Sequence, residues 1–348
     1  MPRFDLSLSE STIQTFGALV AASALCAALG AGPAAAQSVS PPYKLTAFAQ
    51  GTTAYKQPDS IVQWRNSVLI GYQNGVAKDG TDGKSSTIVQ YALDGTVQRM
   101  FSVLGHNDGL RVVGDDQLWS LQNEDANPSL VIIDLVSGAA QSYFPSAPHG
   151  GGYDDLRVVG DSIYMTASNP NLDVNGVNVF PALVRVTLSG GSVNLEPVLY
   201  GNAQAVNIAT GSTVTLNLTD PDSLSVDQRG NIVVNSQADA ELVFVRHPLA
   251  EDQAVGVLGI TSGGAPTTVD DTAFAPRSAS FALFADVSAN KVYRLDSPTF
   301  GFEPGTAYST SDTAGTVAVL NLDSGALAVI GTGFISTRGF IFVTRSDD

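Results

Sequence analysis

The sequence is poor in basic residues, in charge of either sign, in cysteine and in helical patterning. Its 348 residues hold 17 Lys and Arg against 33 Asp and Glu, a formal net charge of −16, and charged residues make up only 14%. Nucleic acids and anionic membranes demand clustered basic surface, so neither is expected as a partner. Cations and neutral small molecules suit such a surface better. The low charge comes with 44% hydrophobic residues, too apolar for a disordered chain. The length suits one large domain or two ordinary ones.

Cys26 is the only cysteine, and it lies in an apolar stretch that runs from Phe16 to Gly32. Arg3 precedes that stretch, and Ala34-Ala35-Ala36 before Gln37 satisfies the A-x-A cleavage rule. Residues 1–36 are therefore read as a secretory signal peptide, and residues 37–348 as a single domain destined for the periplasm or the exterior. No membrane insertion is expected after cleavage. Loss of Cys26 would leave neither a disulfide framework nor a thiol nucleophile. Beyond residue 36 no window carries a 3.6-residue apolar period. Neither a G-x-S-x-G elbow nor an H-E-x-x-H pair occurs, which removes the serine-hydrolase and zincin readings.

What the sequence does have is repetition. The stretch HNDGLRVVGDDQLWSLQN, from His106, is an acid, a short strand, a turn, a second strand and a polar close. Four further copies follow the same plan: DSIVQWRNSVLIGYQN from Asp59, DDLRVVGDSIYMTASN from Asp154, DSLSVDQRGNIVVNSQ from Asp222 and DTAFAPRSASFALFAD from Asp271. In the copy from Asp154 the leading acid is taken as Asp155, with a one-residue offset. Each unit is usually followed by a hairpin that turns at Asp-Gly or Ser-Gly, as in TIVQYALDGTVQRMF. Four short strands per repeat of about 45–50 residues is the signature of a β-propeller blade. The expected fold is all-β, a propeller of six four-stranded antiparallel blades, with seven also compatible. The innermost strand of the final unit is not evident, and the N-terminal YKLTAFAQG and C-terminal GFIFVTR are expected to share the blade that closes the ring.

In a propeller the first strand of each blade lines the central channel, so the leading acids converge at one mouth. Oxygen donors without cysteine suit a hard cation, above all calcium with its six to eight oxygen ligands. Close carboxylates otherwise repel one another unless cations or protons intervene. For any one Asp the competing reading is an Asx-turn that binds backbone N–H groups. His106 and His149 both precede a leading acid and are candidates for a general base. His247 is expected on the periphery. Gly150-Gly151-Gly152 is no phosphate loop, because no helix and no Lys-Ser/Thr pair follow; it would let backbone approach closely. The acidic segments NEDANP and VAKDGTDGK lack the EF-hand spacing and are read as solvated loops.

The motifs HNDGL, DPDSLSVDQRGNIVV and VDDTAFA resemble the strand starts of six-bladed propellers of the gluconolactonase/senescence-marker-protein type and their paraoxonase-like and NHL-type relatives, over residues 59–343. The resemblance implies a calcium ion in the channel that activates lactones or esters. Its ligands would come from Asn107, Asp108, Asn123, Asp155, Asp222 and Asp271, with His106 and His149 as proton shuttles near the metal. The ligand Glu of the family's first blade has no counterpart here, where Asp59 stands. The reading that follows is an exported calcium-dependent lactonase or esterase acting on a small molecule at the channel mouth. Its rival is a non-catalytic propeller that binds a carbohydrate, a peptide or a partner protein. A lyase of the streptogramin-cleaving kind would need a catalytic pattern that is not discernible.

Overall fold

Runs such as Ser67–Tyr72 (SVLIGY), buried at every position, cannot lie on a one-sided sheet, where burial alternates along the strand. They are second strands of blades, covered on both faces by the blades to either side. Outer strands such as Val97–Leu104 alternate instead between exposed and buried positions. The computed structural model describes residues 36–345, so the expected signal peptide lies outside the described residues apart from Ala36. Among the described residues there is no helix, and the strands form six blades around a central channel.

Blade I consists of Pro58–Trp64, Ser67–Tyr72, Ser85–Ala92 and Val97–Leu104, from the channel outward. Blade II has Asn107–Val113, Gln117–Gln122, Ser129–Asp134 and Ala140–Tyr143. Blade III has Gly152–Val159, Ser162–Ser168, Pro181–Ser189 and Ser192–Tyr200. Blade IV has Pro221–Val226, Ile232–Ser236, Glu241–Arg246 and Ala254–Gly259. The long spacing ahead of blade IV holds Gln204–Asn207, which pairs parallel to Ala254–Gly259 and carries Thr213–Thr215 at the sheet's edge.

The ring closes differently from the simple repeat. Thr272–Phe274 is the channel strand of blade V and pairs with Ala307–Ser311, followed by Thr316–Leu320 and Leu327–Thr332. Ala279–Asp286 belongs to blade VI, where it pairs with Thr337–Thr344 and Lys291–Asp296. The fifth sequence copy therefore spans two blades, and its first strand is the one missing from the final unit. Lys44–Gln50 is the outer strand of blade VI and Ser38–Val39 adds an edge strand to blade V. Blade VI thus joins the N-terminal Lys44–Gln50 to the C-terminal Thr337–Thr344, as expected, and the chain ends also interlock with a second blade.

Six hydrophobic clusters fill the six seams between neighbouring blades. The seam of blades I and II packs Leu69, Ile88 and Phe101 against Leu110, Leu118 and Ile133. Full burial of side chains of this size contributes about 1.5–3 kcal/mol each. The core is therefore a ring of seams around the channel.

Candidate functional site

In blades I to IV the channel strand carries one extra residue near its start. Two residues then oppose one between the paired positions Pro58 and Ile61, Asn107 and Leu110, Tyr153 and Leu156, and Pro221 and Leu224. Such bulges re-aim side chains at sheet ends. The first bulged residue is Asp59, Asp108, Asp154 and Asp222 in turn. Hydroxyls join neighbouring starts: Ser60 donates to the Asp108 carbonyl, Thr166 to that of Asp222 at 2.5 Å, and Ser223 to that of Asp270 at 2.7 Å. The last of these puts Asp270 of blade V at the place of Asp108. Blade VI brings Arg338 to the ring. These six side chains line a channel of about 420 Å³.

The leading acids of blades III and V are thus Asp154 and Asp270, not the Asp155 and Asp271 of the sequence alignment. Asp155 turns to the wall, where it accepts the backbone N–H of Leu156 at 2.7 Å and of Leu224 at 2.9 Å. Asp271 accepts the N–H of Gly339 at 2.7 Å. Both still line the channel, in the Asx-like role that a single Asp at a strand start favours. Gly109 lies so close to blade III that a Cβ there would sit 2.4 Å from the Asp154 carbonyl oxygen, so only glycine fits that place.

Glu124, from the NEDANP segment read as a solvated loop, is buried with 9% exposure. Its carbonyl accepts the N–H of Gly152 at 2.7 Å and the hydroxyl of Ser168 at 2.9 Å, which fixes the loop against blade III. The VAKDGTDGK segment supplies Lys78, whose ammonium pairs with the Glu124 carboxylate. Glu124 is common to two sets of three donors, His106–Asp108–Glu124 and Glu124–Asp154–Asp222, each within 4.8 Å of one another. Buried Asp108 Oδ2 and Asp222 Oδ2 have no hydrogen-bond partner.

The electrostatics follow from this crowding. Burial, then the Glu124 charge, push Asp108 up to about 7 despite His106. Burial and neighbouring carboxylates push Asp154 and Asp222 well above the usual carboxylate range. Glu124 is held low: burial opposes its charge, but Asp154, Lys78 and His106 outweigh it. Across the channel, Arg338 lies 3.3 Å from Asp59, 3.4 Å from Asp270 and 3.5 Å from Asp312. Asp59 is raised by burial although Arg338 opposes it, and Asp270 is raised well above its usual range in the same way. Gln73 donates to Asp59 and Gln237 to Asp270 at 3.2 Å.

His106 is buried beside Asp108. Its Nδ1 lies 2.7 Å from the Val76 carbonyl, so that N–H donates there and Nε2 faces Asp108 Oδ1 at 3.3 Å. Burial disfavours the charged ring, but the Asp108 hydrogen bond and charge outweigh it and raise the group to about 9. Neither histidine lines the channel, but His149, unlike His106, touches no acid of the ring: its Nε2 donates to the Gly152 carbonyl at 2.7 Å with its ring against Tyr153. Asn107 turns its Oδ1 toward Gly71 of blade I, while its amide donates to Ser120 and Leu121 of its own blade. Asn123, with φ of 66°, accepts the His106 N–H and donates to the Asn127 carbonyl. Of the six residues proposed as ligands, Asp108 and Asp222 join the donor sets. Exposed His247 pairs with Asp252 at 2.7 Å.

No protein-family model matches the sequence, and no curated protein matches it. Solved structures do. A gluconolactonase from Xanthomonas campestris is 14% identical with a TM-score of 0.50, over 86% of this chain and 82% of that one. A protein of unknown function from Bacteroides thetaiotaomicron is 12% identical with a TM-score of 0.50, over 88% and 70%. The virginiamycin B lyase of Staphylococcus aureus is 11% identical with a TM-score of 0.47, over 83% and 88%. At these identities the likeness is one of fold: this chain is a six-bladed β-propeller with the architecture of the gluconolactonases.

Proposed function

We propose that the chain is an exported hydrolase of lactones or esters that depends on a divalent cation, calcium by the chemistry of its donors. One observation carries the reading: Glu124 is shared by two donor sets in which the buried Asp108 Oδ2 and Asp222 Oδ2 have no hydrogen-bond partner. Carboxylates from Asp108, Glu124, Asp154 and Asp222 would hold the ion, an all-oxygen cradle of the kind calcium takes. A bound cation supplies Lewis-acid polarisation of a carbonyl and a lowered pKa for water.

The chain's own groups do the rest. The Val76 carbonyl holds the His106 Nδ1–H, so Nε2 beside Asp108 is the atom that exchanges a proton; raised to about 9, the ring carries that proton at neutral pH, gives it up first as the acid and takes it back as the base. Arg338, on the opposite rim, keeps that side of the mouth polar and orients the substrate's oxygens. The apolar run and the A-x-A site within residues 1–36 support export.

The test is turnover on small lactones and aryl esters, with chelator and after calcium is restored. Chelation should abolish turnover and calcium should return it. His106→Gln should lower it by about 10²–10⁴-fold, the usual worth of general acid–base catalysis. Turnover that survives chelation would remove the cation. Calcium binding without turnover on any substrate would leave a binding propeller for a carbohydrate, a peptide or a partner protein.

A further inference from the structure

The repeated LRVVG contains an arginine that the acid ring does not use. Arg111 and Arg157 pair with Trp119 and Tyr164, three residues beyond Asp108 and Asp154, at equivalent positions of blades II and III. At about 3.3 Å per residue they lie some 10 Å along the strands from the ring acids. The same position holds Val62, Ser225, Ala273 and Ile341 in the other blades. The channel therefore has two adjacent arginines in one layer and no other cation there. Arg111 is anchored: its Nε donates to the Leu156 carbonyl at 3.0 Å and Nη2 lies 3.6 Å from Asp155. Arg157 lines the channel, and among the described residues no hydrogen bond holds its guanidinium. Further along the strands the wall turns apolar at Val226, Phe274 and Phe342.

We propose that Arg157, with Arg111 beside it, is an anion-binding station below the acidic ring that takes the carboxylate or phosphate group of a small organic ligand. A guanidinium offers a planar fork of donors that matches either group with two parallel hydrogen bonds. Two like charges side by side in a partly dry channel repel, and an anion between them removes that repulsion. Burial and the Arg111 charge lower Arg157 to about 9, with Asp155 and Asp271 only partly compensating. The apolar wall beyond accepts the ligand's carbon skeleton. The station serves a ligand that is hydrolysed and one that is only bound, so it does not rest on the hydrolase reading.

The full chain is titrated with acetate and, separately, with methylphosphonate, against sodium chloride of equal ionic strength, with and without calcium. Thermal midpoint and calorimetric affinity are read. Wild type should be stabilised by at least one of the two anions, and which one identifies the group. Arg157→Gln should weaken that affinity about ten- to hundredfold, the worth of a charge-assisted hydrogen bond or two. Arg157→Lys should fall between, and Arg185→Gln, a half-buried arginine outside the channel, should match wild type. If Arg157→Gln does not fold, the Lys variant decides, because loss of the fork alone must weaken binding. No response to either anion in wild type, or the same affinity in the Arg157 variants, would overturn the station.

Discussion

Blades V, VI and I bring Asp270, Arg338 and Asp59 to the mouth; blades II, III and IV bring Asp108, Asp154 and Asp222. All six stand near the start of a channel strand, yet the charge balance differs. On the first arc an arginine of the chain itself stands between carboxylates at 3.3–3.5 Å. On the second, a fourth carboxylate, Glu124, is added, and the nearby cations are Lys78 at the rim and His106. Buried carboxylates need a cation or a proton. The first arc has a cation of its own, whereas on the second burial and crowding favour protonated acids, which is where the proposed ion would bind.

The largest effect should come from breaking the first arc. Arg338→Met leaves Asp59 and Asp270 buried without their cation, a loss that typically costs about 3–5 kcal/mol. Denaturant unfolding at pH 7.5 should show a decrease of about 3 kcal/mol, the low end because the side chain retains some solvent contact. The decrease should shrink at pH 5, where Asp59 and Asp270, both already raised, take up protons. An unchanged midpoint at pH 7.5 would mean that the three acids do not depend on Arg338.

The second arc is sharpened by calcium. A ligand that binds only the folded chain stabilises it by about 2.7 kcal/mol at a hundredfold excess over its Kd. Wild type should show a calcium-dependent rise of that order, and Glu124→Gln and Asp154→Asn should lose most of it. Asp155→Asn should instead lower stability equally with and without calcium, since its oxygens hold backbone N–H groups. The rise should grow with pH. In chelator, Asp108 at about 7 keeps in the folded state a proton that the unfolded chain releases near the ordinary 3.8, so stability falls as pH climbs through 7. His106, raised to about 9, loses its contribution as pH climbs further. Both signs agree, and calcium, which replaces those protons, should matter more at pH 8 than at pH 6. A calcium effect indifferent to pH would separate the ion from these groups.

The fold was legible because each strand start recurs with its acid, strand, turn and second strand. Asp108 and Asp222 were legible for the same reason. Asp154 was within reach: Leu110 and Leu156 align without any offset and place Asp154 against Asp108, but the extra residue of the bulge hides which of two adjacent acids faces the channel. Arg338 could not be found by a search for acids, because it stands where the repeat puts one and lies in a strand separated from the rest of its blade by residues 297–336. Glu124 gave no local sign at all. Its segment is polar and turn-rich, and its burial depends on Gly152 and Ser168 of another blade. The ring closes as expected, but the fifth copy gives no sign that Thr272–Phe274 and Ala279–Asp286, adjacent in sequence, belong to different blades.

The smallest effect separates the two histidines that the sequence treats alike. His149 is buried, its ring N–H donates to the Gly152 carbonyl, and burial lowers its pKa. It holds together the backbone that also carries Glu124, but it touches no donor of the ring. His149→Gln should therefore cost about 1 kcal/mol, one net hydrogen bond, by the same amount with and without calcium. Because the folded state resists protonating His149 while the unfolded chain does so near 6.5, the wild type loses part of this contribution as pH falls below that value. The variant should consequently lose less stability than wild type between pH 7 and pH 5. His106→Gln should instead reduce the calcium-dependent rise, since its Nε2 holds the proposed ligand Asp108 in place at 3.3 Å, and His247→Gln should behave as wild type. If His149→Gln diminished the calcium response as much as His106→Gln, the Gly152 contact would have to transmit to Glu124, and the two histidines would belong to one site after all.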